Sequence, residues 1–183
     1  MSTDLSTQAE QFWTRYGYPD YLREHSRIVG AIARVLADAH RARGARVDVD
    51  AVVLAALLHD IGRSPLLKGD AREHNELSAL VLAAEGLDAC VEPARRHAIY
   101  TVLDPATAPQ TLADKLVYVA DRRGGMTVED LEERSKDTAA RHPKFKDDIA
   151  RAVLLARAIE SEIFADLPFR PDELAAHVRV GAR

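Results

Sequence analysis

The segment Ala51–Leu58, AVVLAALL, is apolar on nearly every side and runs straight into His59-Asp60-Ile61-Gly62. An Ala- and Leu-rich stretch of this kind reads as a helix buried all round, the central helix of a helical domain. Its end is the constraint. A carboxylate beside so many Leu, Val and Ala residues costs several kcal/mol, on the order quoted for unpaired buried charges, unless a cation or strong donors compensate. An imidazole nitrogen and a carboxylate oxygen side by side are a donor set that a divalent metal accepts. The residues available to complete such a set are His25, His74, His97 and Asp121.

The rest of the composition agrees with a helical fold. Among 183 residues, 47% are hydrophobic, 5% aromatic and 30% charged, a mixture that favours an all-α domain over a sheet. The length fits a single domain, residues 1–183. A net charge of −4 argues against a nucleic acid polymer or an anionic membrane as partner. The single cysteine, Cys90, excludes an internal disulfide and reads as a small buried residue in a reducing compartment. Met1–Glu10 is polar with no signal-peptide core, and no apolar run has the roughly 18 residues of a membrane span. These features predict a cytoplasmic protein.

Stop and start signals divide the chain into helices. Asp4–Tyr16 is expected as a first helix, ended by Gly17, and Asp20 to about Arg43 as a long amphipathic one closed by Gly44. His25 falls three residues from both Leu22 and Ile28 on its apolar stripe. Asp48 or Asp50 caps the central helix, which is expected to reach Asp60, with Gly62 as its C-terminal stop. A loop over Ser64–Arg72 precedes helices at about Glu73–Glu85 and Asp88–Ala98. Thr111 caps a helix to Asp121, halted by Gly124-Gly125, and Thr127 with Asp130 resembles a capping box for a helix to Arg141. Pro143 opens a long helix to about Phe164, Pro171-Asp172 a short last one, and Gly181–Arg183 is expected to fray.

This division puts the metal-type residues at helix ends. His59 and Asp60 end one helix, His74 begins the next, and His97 and Asp121 end two more, with His25 near the start of its own. A lone histidine on an apolar face is ordinarily a core residue. Several at the ends of successive helices are the trace that a polar site at one end of a bundle leaves in sequence.

The ordered set His25, His59-Asp60, Asp121 resembles the His…His-Asp…Asp pattern of the HD-domain metal-dependent phosphohydrolases, and His59-Asp60-Ile61-Gly62 is similar to their HDIG subtype signature. Asp114-Lys115-Leu116-Val117-Tyr118-Val119-Ala120-Asp121 is similar to the last metal segment of the YqeK-like branch, which contains symmetrical dinucleoside-tetraphosphate hydrolases. The resemblance covers about residues 18–134 and implies an HD-type helical bundle. It implies that His25, His59, Asp60 and Asp121 hold one metal, and that His74 and His97 complete a second site with Asp60 as the bridge. The metals implied are divalent transition ions among Fe, Mn, Co, Ni and Zn. Three departures stand out: Arg63 where Lys is common, Arg122-Arg123-Gly124-Gly125 in place of the branch's Pro-Asn-Arg, and Ser78-Ala79 where a small apolar pair is common.

Hydrolysis of a phosphoester or phosphoanhydride by metal-bound hydroxide is the activity so implied, on a small and nucleotide-like substrate. Developing phosphate charge requires cations. Arg63, one turn past His59, is the first candidate, and Lys115 the second; Asp60 completes the catalytic group. Arg96 and Arg122 are further candidates for substrate binding. Glu73, beside His74, is read as a helix-start charge rather than a ligand-orienting group, and Tyr100 and Tyr118 as packing residues. His40, His142 and His177 read as surface residues, and Glu132–Lys136 as a mixed-charge solvent face. Two other readings compete: an HD-fold di-iron oxygenase, and a non-catalytic nucleotide-binding module. The Ala- and Leu-rich helical surface is compatible with a homodimer.

Overall fold

The apolar segment is the middle of the fold. In a computed structural model that describes residues 3–179, α3 (Val49–Leu58) has Asp50 as its one exposed residue. Four helices surround it: α1 (Thr3–Arg15), α2 (Asp20–Ala42), α5 (Asp88–Arg95) and α6 (Leu112–Arg123). Outside these lie α4 (His74–Ala84), against α5, and α7 (Leu131–Arg141), α8 (Lys146–Phe164) and α9 (Leu174–His177) on the side of α6. The fold is all-α, and the described residues contain no strand, only an isolated bridge between Gly124 and Val128. No helix among them is long and apolar enough to cross a membrane.

The core is made by α2, α3 and α6. Leu57 and Leu58 are fully buried, as are Ile32, Leu36, Leu116 and Val117. Burial of each such side chain is worth about 1.5–3 kcal/mol. Gly30 lets α2 approach α3 closely: a β-carbon there would lie 2.6 Å from Leu57 Cδ2. Trp13 secures the end of α3, its indole Nε1 donating to the Leu57 carbonyl at 3.0 Å. That carbonyl is one of the last in its helix and has no partner within it.

Several boundaries differ from expectation, each for a local reason. α3 stops at Leu58, so His59 and Asp60 lie just past it and a short 3-10 turn, Ile61–Arg63, follows. Gly62 is not a left-handed helix stop. Its Cα faces the start of α4, where a β-carbon would meet the His74 carbonyl oxygen at 1.9 Å. α5 ends at Arg95 rather than Ala98, and a 3-10 turn, Ile99–Leu103, occupies the next stretch. Asp130, not Thr127, caps α7: its carboxylate accepts from the Glu133 amide at 2.7 Å, while Thr127 sits in the preceding turn. Pro143 begins a 3-10 turn, and α8 starts only at Lys146. Asp48, one of the two candidates, caps α3, and Thr111 caps α6 as expected, with Asp114 completing a capping box there. His40 is half-buried rather than a free surface residue, bonded to the Ile163 carbonyl at 3.0 Å. Gly181–Arg183 lies outside the described residues. Cys90 is buried, and burial pushes its thiol up to about 12.

Candidate metal centre

Two of the histidines are set by the same backbone device. His59 follows the end of α3, and its ring folds back so that Nδ1 bonds the Ala56 carbonyl at 2.7 Å. His97 follows α5 and bonds the Ala94 carbonyl through Nδ1 at 2.6 Å. A carbonyl accepts only, so each Nδ1 carries the proton and each Nε2 of the neutral ring is left with its lone pair facing inward. The unsatisfied carbonyls at a helix end are what make this arrangement available.

Asp60 lies between two pairs of imidazoles and presents a different oxygen to each. Oδ2 is 3.6 Å from His59 Nε2 and 4.0 Å from His25 Nε2. Oδ1 is 3.3 Å from His97 Nε2 and 3.5 Å from His74 Nε2. Asp121, on α6, adds Oδ1 to the first pair, 3.2 Å from His25 Nε2 and 3.7 Å from His59 Nε2. The structure therefore brings all six residues together. His25, His59 and Asp60 have ligand atoms within 4.8 Å of one another, as do Asp60, His74 and His97; a third set, His59, His97 and Asp121, straddles the two. Imidazole lone pairs and carboxylate oxygens crowded at these distances repel unless a proton or cation lies among them. The donor set fits divalent ions with His and carboxylate preference.

The electrostatics bear the same mark. Burial works against the Asp60 carboxylate, but Arg63 and His59 prevail and hold its pKa well below the usual range. Burial likewise opposes Asp121, and Arg122 and His25 overcome it in the same direction. Burial disfavours a charged His59, yet Asp60 and Asp121 raise its pKa above the ordinary histidine value. Burial lowers His74 to about 3, against the pull of Asp60, and also lowers His97. The second pair is thus held neutral, the form that ligates metal.

Two arginines border the centre. Arg63 donates from Nε to Asp60 Oδ1 at 2.7 Å and from Nη2 to His74 Nε2 at 2.9 Å, two of the lone pairs that face the second pair's centre. Arg122 donates to Asp121 Oδ2 and lies over the Tyr118 ring. Both arginines, with His25, Asp60, His74, His97 and Asp121, line a cavity of 890 Å³.

The other two expected cations are elsewhere. Lys115 pairs with Glu162 on α8 at 2.6 Å and does not line the cavity. Six residues before Asp121, at about 100° per residue, it faces away from that residue's side of α6. Arg96 is engaged by Glu92 at 2.8 Å and by the carbonyls of Ala106 and Ala108 at 3.0 and 2.8 Å, a brace for the loop before α6. Glu73 makes no cap bond, and Tyr118 is core, its hydroxyl on the Ile99 carbonyl. Tyr100 lines the cavity and donates to Asn75 Oδ1 at 2.7 Å. Asn75, which no sequence signal marks, in turn donates to the Arg95 carbonyl at 2.6 Å and so ties the start of α4, with His74, to the end of α5, near His97. Arg134 and His142 also line the cavity; His142 is exposed as expected, whereas Arg134, with its side chain 14% exposed, is not the solvated residue its mixed-charge run suggests.

Compared with known families, the chain matches the one described as HD domain over residues 22–126. Searches of curated proteins and of solved structures returned no match.

Proposed function

The chain belongs to the HD-domain family, and on that premise we propose that it is a metal-dependent phosphohydrolase of the HDIG subtype, acting on a small phosphorylated substrate of nucleotide type. The observation that carries this reading is the division of Asp60: one oxygen faces His25 and His59, the other His74 and His97. A carboxylate so divided suits two divalent ions. His25, His59, Asp121 and Asp60 Oδ2 would hold one, and His74, His97 and Asp60 Oδ1 the other. When bound, such ions polarise phosphate oxygens and bring the pKa of water toward neutrality.

The protein's own contributions are positional and electrostatic. Carbonyl bonds to Nδ1 fix the ring orientation of His59 and His97. Arg63, with 45% of its side chain exposed, can exchange its present bonds for a phosphoryl oxygen at the cavity wall. Arg122, beside Asp121, also lines the cavity and adds a second guanidinium for the charge that develops in phosphoryl transfer. The likeness of residues 114–121 to the YqeK-like branch includes Asp121 and Lys115. Lys115 turns to Glu162, so that likeness supports a metal ligand and not a substrate contact.

The test is release of phosphate or nucleotide by protein reconstituted with Mn, Fe, Co, Ni or Zn. The panel should hold nucleoside monophosphates and symmetrical dinucleoside tetraphosphates, with Asp60→Ala as control. Turnover by the wild-type protein alone is expected. Silence with every metal and substrate, or oxygen consumption by the iron form, refutes the reading.

A further inference from the structure

The family match ends at residue 126, and the six residues of the metal centre all lie inside it. The cavity does not end there. Arg134, Arg141, His142, Phe145 and Ile149, from α7, the 3-10 turn after it and the start of α8, form its outer wall. This wall is what the chain adds to the matched span.

Arg134 is the member of that wall whose charged head is least satisfied. Its side chain is 14% exposed, its Nε is buried with no hydrogen-bond partner, and its Nη1 makes a long bond of 3.3 Å to Asp137. Asp137 also accepts from Arg141 at 2.9 Å, so one carboxylate serves two guanidiniums. Further in, Arg122 is in a similar state: 9% exposed, its Nε buried and unpartnered, and Nη2 on Asp121. Burial lowers the pKa of Arg134, Asp121 acts against this, and Arg122 and Arg141 add to it, so these charges share one neighbourhood. Buried donors normally have acceptors. Arg134 and Arg141 share the single Asp137 carboxylate and Arg122 donates, among the described residues, only to Asp121, so the guanidiniums on this cavity wall keep N–H capacity for an anionic ligand. Glu129 and Asp148 also face the cavity. The wall is therefore not a uniformly basic surface, and it suits one placed anionic group rather than polyanions at large. Tyr21, Met126 and Phe145, all exposed and all on the lining, offer an apolar rim to the organic part.

We propose that Arg134, with Arg122, receives a second phosphoryl group of the substrate while the first sits at the metal centre, which makes Arg134 a specificity residue for substrates with linked phosphoryl groups. This rests on the phosphohydrolase reading for the place of the first group. The planar guanidinium fork matches phosphoryl oxygens in pairs.

The experiment is calorimetric titration of Mn-loaded protein, at saturating Mn, with adenosine 5′-monophosphate and with α,β-methylene-ADP. The wild-type protein is expected to prefer the diphosphate by about tenfold or more, the scale of one charge-assisted bond. Arg134→Gln should cut that preference to about twofold while the monophosphate still binds, and Arg134→Lys should restore part of it. An unchanged preference in Arg134→Gln, an equal loss for both ligands, or no preference in the wild-type protein overturns the proposal. Chelation of the metal separates the two readings. Monophosphate binding that survives it counts against the metal-centred phosphohydrolase, whereas the fate of the Arg134 subsite is read from the ratio alone.

Discussion

Arg63 offers the sharpest test of the proposed two-metal arrangement, because it occupies the lone pairs that a second ion would need. Its Nε and Nη2 occupy Asp60 Oδ1 and His74 Nε2 at 2.7 and 2.9 Å. A cation at the second position must take both lone pairs from it. A bond from a charged donor is worth about 1.5–3 kcal/mol. Two would set a displacement cost of twice that, but 45% of the Arg63 side chain is exposed and water replaces much of what is lost. A net cost of about 1.5–3 kcal/mol corresponds to about 10- to 150-fold in affinity. Arg63→Met removes that competitor and leaves two buried acceptors in want of a cation. Titration of the metal-free protein with Mn or Co should then show one site little changed and a second tightened by that factor, with metal content per chain rising toward two. Phosphate release should fall at the same time, because the guanidinium proposed to receive the phosphoryl group is gone. Arg63→Lys should lie between the two. An unchanged second affinity, or loss of the second ion, would refute the reasoning and make Arg63 a support of the site rather than its rival.

Gly62→Ala should damage the same second site through the backbone. The new β-carbon would lie 1.9 Å from the His74 carbonyl oxygen and 2.8 Å from the Ser78 amide nitrogen, and neither can yield without moving α4. A cost of about 1–3 kcal/mol or more is expected in denaturant unfolding, with loss of the ion held by His74 before the other. Gly30→Ala meets the side chain of buried Leu57, Cδ2 at 2.6 Å and Cγ at 2.9 Å, rather than backbone, and should cost less than Gly62→Ala; equal costs would contradict this account. In chelated protein, buried His74 protonates near 3, far below its unfolded value of about 6.5. The unfolded chain takes up the proton first, so this contribution to stability is complete above about pH 6.5 and is lost as pH falls toward 3, by about 1.4 kcal/mol per unit. His97 is shifted in the same sense. His74→Gln should therefore flatten the acid limb between pH 5 and 6.5 in urea unfolding, and an unaltered slope would count against a neutral buried His74.

How much of this site could be read in the sequence depended on whether a residue's role followed from its type at a helix end. His59 and Asp60 follow the apolar α3, and His97 and Asp121 lie near the ends of α5 and α6, where a buried polar side chain has few other purposes, and the structure brings them together with His25 and His74. The substrate cations were less legible. Lys115 and Arg63 are both basic residues near metal-type residues in sequence, yet one pairs with Glu162 and the other with Asp60. Which one applies depends on helix rotation and on what packs opposite, neither of which local pattern records. Arg134 was hidden for a different reason. It lies in a mixed-charge run that suggests a solvated face, and only the packing of α7 on α6 and α8, which buries Leu131 and Ser135, sets which side turns inward. Gly62 shows the same limit from the other side. In sequence it has the position of a stop for α3, whereas its role is the approach of α4's backbone, which brings His74 to Asp60. The His-Asp pair is thus half of a condition. A carboxylate at the end of a buried helix can divide its oxygens between two sets of imidazoles only if a second helix comes close enough to supply the other set, and a side chain at position 62 would keep it away.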